Sequence, residues 1–112
     1  MDAFEIPQIL RDREHPEQLY SEFLRVPSLS AGVYVLPAGG LDPQGPHAED
    51  EVYCVISGHG AVQVAHEHRA VGPGSVVYVP AGIDHRFHTI SEDLTILVIF
   101  APAEYSLSPD EP

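Results

Sequence analysis

From Leu29 onward the chain is cut into pieces too short for any long helix. The runs SAGVYVLPAGG, EVYCVISGHG, AVQVAHEHR, GSVVYVPAG, HRFHTI and DLTILVIFAP are rich in Val, Ile, Tyr and Phe, and Gly and Pro separate them at regular intervals. β-Branched and aromatic side chains suit a pleated surface, while Gly and Pro end strands and form turns. Six such runs in about seventy residues predict an antiparallel sandwich or barrel and not βαβ units. Gly58-His59-Gly60 reads as a tight hairpin, and Gly72-Pro73-Gly74 as a second break.

Ahead of the runs, Pro16 and Glu17 suit a first helical turn, and Leu19, Phe23 and Leu24 share one face before Pro27. The expected division is an N-terminal arm and short helix over residues 1–28, a barrel domain over 29–104, and a flexible, Pro-rich tail over 105–112. Val52–Ile56 and Leu94–Phe100 are apolar at nearly every position, where a strand with one wet face would alternate. Both strands are therefore expected to be covered on two faces. The expected cover is a second subunit, making a homodimer, with the N-terminal arm as the alternative.

Charge narrows the partners. With 17 acidic residues against 5 basic ones, the net charge is −12, and no Lys/Arg patch is available to neutralise phosphates or meet an anionic membrane. Neither nucleic acid nor membrane is an expected partner. The longest apolar run, Leu94–Ala101, is far short of a membrane span, and the start MDAFEIPQILRDREH lacks the basic-then-apolar order of a signal peptide. A single cysteine, Cys54, excludes an intrachain disulfide, agrees with a reducing compartment, and makes cytoplasmic location the expectation. Cys54 has the parity of Val52 and Ile56, so it reads as a small buried hydrophobe.

Two polar clusters stand at strand starts. Glu51, Tyr53 and Val55 share one face of their run, and His47 lies four residues before Glu51. A straight strand would separate His47 and Glu51 by about 13 Å, too far to share an ion at bond lengths of about 2 Å. The chain must bend, and Gly45-Pro46 before the histidine and Ala48-Glu49-Asp50 after it allow that. In the second cluster His85, Phe87 and Thr89 share a face, while Arg86, His88 and Ile90 take the other. Alone, Glu51 is ordinary loop charge and His85 an ordinary half-buried histidine. His66-Glu67-His68-Arg69 falls where a hairpin turn is expected, and His59 falls in the Gly-His-Gly turn, so both read as exposed.

Together the two clusters resemble the cupin superfamily, in its small single-domain form. The family's first motif, G-x5-H-x-H-x3-4-E-x6-G, is matched by GGLDPQGPHAEDEVYCVISG at His47, Glu51 and Gly58. Its second, G-x5-P-x-G-x2-H-x3-N, is matched by GSVVYVPAGIDHRFHT at Gly74, Pro80, Gly82 and His85, with Thr89 in place of the final Asn. The likeness covers roughly residues 31–101, and the family's first histidine falls on Gly45, which has no ligating side chain.

This resemblance implies an all-β, cupin-type jelly-roll barrel with one divalent transition metal held by His47, Glu51 and His85. Gln44, beside the position left by Gly45, is a candidate fourth ligand. Two imidazoles and a carboxylate suit Fe, Mn, Zn, Ni or Co, and the same set leaves open positions in non-haem Fe(II) oxygenases. The implied function is a metal-dependent enzyme on a small organic molecule, foremost a dioxygenase. The alternatives are a metal-assisted isomerase, epimerase or lyase on a sugar or small acid, and a non-catalytic small-molecule binding module. Tyr53, Gln63 and Phe87 are the residues expected to line the substrate pocket.

Overall fold

Two long strands organise the molecule. In the computed structural model, which describes residues 1–43 and 45–107, β3 (Asp50–Val64) and β6 (His85–Ala101) pair antiparallel from Asp50↔Ala101 to Val64↔His85. The far edge of β6 takes β2 (Leu29–Leu36), which in turn takes β1 (Tyr20–Val26). The far edge of β3 takes β5 (Val76–Val79) along its first half and β4 (Glu67–Val71) along its second. Every pairing is antiparallel, as the punctuated β runs predict. The inward rows, among them Tyr53, Val55, Leu94, Ile96, Val98 and Phe100, are at most 2 % exposed and form one core with Leu36, Val62 and Phe87.

The β3–β6 ribbon is folded over at its middle. Val64 pairs with His85, and the His85 side chain nevertheless meets Glu51, which a straight strand would hold about 40 Å from Val64. The bend lies where the pairing register shifts, between Val55 and Ala61. Gly58-His59-Gly60 is therefore not the hairpin that its composition suggests but a bend inside one continuous strand. Gly58 has φ +89°, and a Cβ there would sit 2.0 Å from the Asp93 carbonyl oxygen, so the partner strand crosses in contact with its bare backbone. The hairpin turn comes later, at Ala65-His66, so only the first residue of the His66–Arg69 stretch expected to turn does so and Glu67–Arg69 already belong to β4.

The N-terminal segment departs from expectation. The helix, α1, spans Ile6–Arg11 with Pro7 in its first turn, while Phe23 and Leu24 lie in β1 and Leu19 immediately precedes it. A helix of about three turns is marginal by itself, whereas β1 gains a ladder with β2 around the Pro27-Ser28 turn. Gly32 permits this, because a Cβ there would overlap the Tyr20 ring at 2.3 Å. Phe4 packs on Phe23 (ring centroids 4.9 Å), and with α1 against β2 the outward-facing Ala31 and Val33 are buried. The N-terminal segment therefore covers β2, whereas the two-sided cover expected over Val52–Ile56 and Leu94–Phe100 is incomplete within the single chain: Val52, Cys54, Leu97 and Ile99 are only half-buried and Ile56 remains 39 % exposed. Cys54 lies on that same outward row and is only partly buried, not a core residue. No helix among the described residues is long and apolar enough to cross a membrane.

Candidate metal centre

Glu51 and His85 occupy the starts of β3 and β6 and project inward from facing walls, each side chain 1 % exposed. His85 Nδ1 lies 2.8 Å from the Ile83 carbonyl, which can only accept, so Nδ1 carries the proton and Nε2 faces Glu51. Nε2 stands 3.2 Å from Glu51 Oε2, but the alignment makes no hydrogen bond. Both Glu51 oxygens and His85 Nε2 are buried without a hydrogen-bond partner among the described residues. Buried polar atoms left this way cost free energy unless something else satisfies them, and a cation is what two oxygens and an imine nitrogen would satisfy. His47 supplies the third donor, and one ligand atom from each residue lies within 4.8 Å of the others. The trio fits the implied divalent metal.

The bend that brings His47 in is stitched from outside the trio. Gly82 N donates to the His47 carbonyl at 2.7 Å, and Ala81 N to Asp50 Oδ1 at 2.9 Å. These two bonds tie the turn before His85 to the loop before Glu51. Asp42 anchors the same loop further back, accepting from the Tyr34 hydroxyl and, at 2.8 Å, from Phe87 N. In the sequence Asp42 stands before Pro43, which signals only a turn.

A cavity of about 310 Å³ opens beside the trio, its wall including Tyr20, Tyr34, His47, Glu51, Phe100 and Glu104. Glu104 is 7 % exposed, and its Oε2 lies 3.8 Å from His47 Nδ1. Its segment is fastened down. Glu49, itself buried, accepts Tyr105 N and Leu107 N at 3.0 Å each, Ser30 Oγ accepts Glu104 N at 2.9 Å, and Arg25 Nη2 donates to the Glu104 carbonyl at 2.8 Å. Residues 105–107 are therefore bound to the barrel, not frayed, and the remainder of the expected tail lies outside the described residues.

Burial dominates the electrostatics. It raises the Glu104 carboxyl to about 7, against a lowering hydrogen bond from Tyr105. Burial likewise pushes the Tyr20 and Tyr34 phenols far above their usual range, so both stay protonated. It lowers His47. Burial also pulls His85 down, but the Glu51 carboxylate and the Ile83 carbonyl outweigh it and His85 is raised overall.

The other expected residues fall elsewhere. Tyr53 and Phe87 point inward but pack on each other in the core (centroids 4.8 Å), and neither lines this cavity. Gln63 is in register with Arg86 and His68 on the outer face, where Arg86 Nε donates to its Oε1. Gln44 lies outside the described residues. His88 faces away from His85, as its parity predicts, and meets His68 at 3.0 Å on the exposed surface. A wider cleft of about 960 Å³ lies between β4 and β5, away from the trio. Glu104, Glu49, Tyr20 and Tyr34 are the site residues that sequence reasoning missed. The first two look like loop and tail charges, and the tyrosines like strand residues.

Comparison with known proteins agrees with the fold. A protein of Streptomyces coelicolor, SCO3923, is 50 % identical over 104 residues, spanning 93 % of this chain and 99 % of its own, and is itself uncharacterised. Dimethylsulfoniopropionate lyase DddQ of Ruegeria pomeroyi is 32 % identical over 74 residues, 65 % of this chain, and the match spans only 37 % of the lyase. Its crystal structure superposes with a TM-score of 0.69 at 24 % identity, covering 90 % of this chain and 54 % of that one. TT1209 of Thermus thermophilus superposes with a TM-score of 0.72 at 24 % identity over 92 % of this chain and 99 % of its own. The family described as Cupin domain matches residues 32–100, a span holding the bent β3–β6 ribbon and all three converging side chains. A jelly-roll barrel with that match over more than half its length belongs to the cupin domain family.

Proposed function

We propose that this cupin is a metal-dependent enzyme acting on a small organic molecule, and that its reaction is a non-oxidative, lyase-type cleavage. The reading is carried by His47, Glu51 and His85 meeting beside a cavity large enough for a small molecule, with the buried polar atoms of Glu51 and the facing His85 nitrogen otherwise unpartnered among the described residues. A bound divalent ion would supply a Lewis acid that polarises an oxygen of the molecule. The chain's own groups orient it. Tyr20 and Tyr34 present protonated phenols, Asp42 fixes the Tyr34 hydroxyl, and Phe100 and Val98 exclude water from one side. The lyase reading is supported by the likeness to dimethylsulfoniopropionate lyase. The dioxygenase reading has its own support, since two imidazoles and one carboxylate are the donor set of non-haem Fe(II) oxygenases.

One experiment separates the readings. Untagged protein is loaded in turn with Fe, Mn, Zn, Ni and Co, analysed for bound metal, and given dimethylsulfoniopropionate with and without O2. About one ion per chain, lost in His85→Ala, with cleavage indifferent to O2, is expected. Turnover only with Fe(II) and O2 would favour the oxygenase, and bound metal with binding but no turnover of the offered molecule a binding module. A chain that takes up no metal would refute the proposal.

The outer face supports a second copy as partner. Tyr78, Val52 and Ile99 lie abreast across β5, β3 and β6, and Val76, Cys54 and Leu97 form the next row. Tyr78 and Val76 are 57 % and 67 % exposed in the single chain, and the N-terminal arm covers β2 instead. A homodimer burying this patch is expected to become monomeric in Tyr78→Glu, measured by light scattering, with the fold intact by circular dichroism. A wild-type protein that is already monomeric at high concentration would end the idea.

A further inference from the structure

We infer that the molecule this cavity takes is a small zwitterion, with an anionic oxygen end toward the His47, Glu51 and His85 trio and a weakly hydrated onium end toward Glu104. The inference rests on the metal-site reading above. Its starting point is the charge of the cavity wall, which includes two carboxylates, Glu51 and Glu104, and no Lys or Arg. A phosphorylated molecule would find no Lys or Arg there, and the chain's net charge of −12 opposes its approach.

Glu104 is what calls for a cation. It is 7 % exposed, and a buried carboxylate is costly unless a positive group faces it. The nearest arginine, Arg25, directs its guanidinium to the Glu104 backbone carbonyl and to the Glu22 carboxylate, not to the Glu104 side chain. The basic ring closest to its carboxylate, His47 at 3.8 Å, is committed to the trio, and Glu104 is not itself one of the grouped donors. Tyr105 gives this carboxylate a hydrogen bond but no charge, so beyond an ion at the trio the remaining source of positive charge is the bound molecule.

The walls around Glu104 specify which cation. Tyr20, Tyr34, Phe100 and Tyr105 all border the cavity, and Tyr20 stands edge-on to both Tyr34 and Phe100, with centroids 6.3 and 6.2 Å away. Aromatic rings attract a cation with little hydration to lose, such as a quaternary ammonium or tertiary sulfonium, more effectively than they replace the water around a primary ammonium. At about 310 Å³ the cavity fits a compact molecule whose two ends reach both walls at once.

The test uses two probes that differ only in that charge. Glycine betaine and 3,3-dimethylbutanoate share a carboxylate and a three-methyl head, with nitrogen in one where carbon stands in the other. Each is titrated calorimetrically into Co2+-loaded wild type and Glu104→Gln, with bound cobalt measured in both proteins. Betaine is expected to bind wild type about tenfold more tightly than the neutral-headed probe, and Glu104→Gln to reduce that preference to about twofold with cobalt affinity unchanged. Equal binding of the two probes, binding of neither, or a preference that survives Glu104→Gln would overturn the inference and leave the metal reading intact. Weakened cobalt binding in Glu104→Gln would overturn it by assigning Glu104 to the metal. Wild type that takes up no cobalt would remove the metal reading and this inference together.

Discussion

Gly58→Ala is expected to leave little folded protein. The φ of +89° there costs an L-residue about 1–2 kcal/mol, and the new Cβ would meet the Asp93 carbonyl oxygen at 2.0 Å with Leu94 Cα at 2.9 Å. Neither obstacle is the end of a flexible side chain, so relief requires parting β3 from β6 at the bend. Opening that ribbon disturbs the core on Leu94 and moves Glu51 relative to His85, for a total of about 4 kcal/mol or more. A domain holds only about 5–15 kcal/mol in all. Gly74→Ala is the control, because Gly74 has nearly the same φ, +91°, but nothing within 4 Å of the added Cβ. It should cost about 1 kcal/mol. Urea midpoints of the two variants separate strain from collision, and equal losses would show that the crossing at Gly58 is not what the residue protects.

That glycine also marks where sequence reasoning reached its limit. Gly-His-Gly permits the positive φ of a hairpin and the close approach of a bulge equally well, and only the partner strand, some 35 residues later, decides between them. The Leu19, Phe23, Leu24 spacing was ambiguous for a similar reason, since so short an apolar pattern fits a helix face or an edge strand until Gly32 is seen to admit the Tyr20 ring. The barrel itself was legible, because the β runs and their breaks are local. So was the parity placing Glu51 and Tyr53 inside and His88 outside. The His47, Glu51, His85 set was legible through motif spacing, but the bonds that close it, from Gly82 N to His47 and from Phe87 N to Asp42, have no signature in the sequence. Glu104 was least visible, being an acidic residue in a Pro-rich ending until Glu49 is found holding the next residues by their backbone.

With metal removed by a chelator, the protein is expected to lose stability as pH rises from about 6 to 8, and with metal supplied it should gain. Burial raises Glu104 from its ordinary 4.5 to about 7, so over that interval the folded chain holds a proton that the unfolded chain has released. Burial lowers His85, but the facing Glu51 and the Ile83 carbonyl reverse this and raise it above 6.5, which extends the same sign upward in pH. A folded state that binds more protons is favoured at low pH and loses that advantage as both groups titrate. His47, which burial lowers, acts oppositely but only below about 6.5. The net loss in the chelated protein is on the order of 2 kcal/mol, and Glu104→Gln should remove most of it. Metal reverses the slope, because an ion at Glu51 and His85 competes with the proton on the imidazole and gains affinity as that proton leaves. At 100 to 1,000 times its dissociation constant, a ligand adds about 3–4 kcal/mol to the folded state. Glu51→Gln removes an anionic donor from the trio while keeping its shape, so this variant should lose the metal-dependent gain at every pH. Denaturation midpoints at pH 6 and 8, with chelator and with metal, give the four values needed. Parallel slopes in the two conditions would mean that the ion is not held by His85.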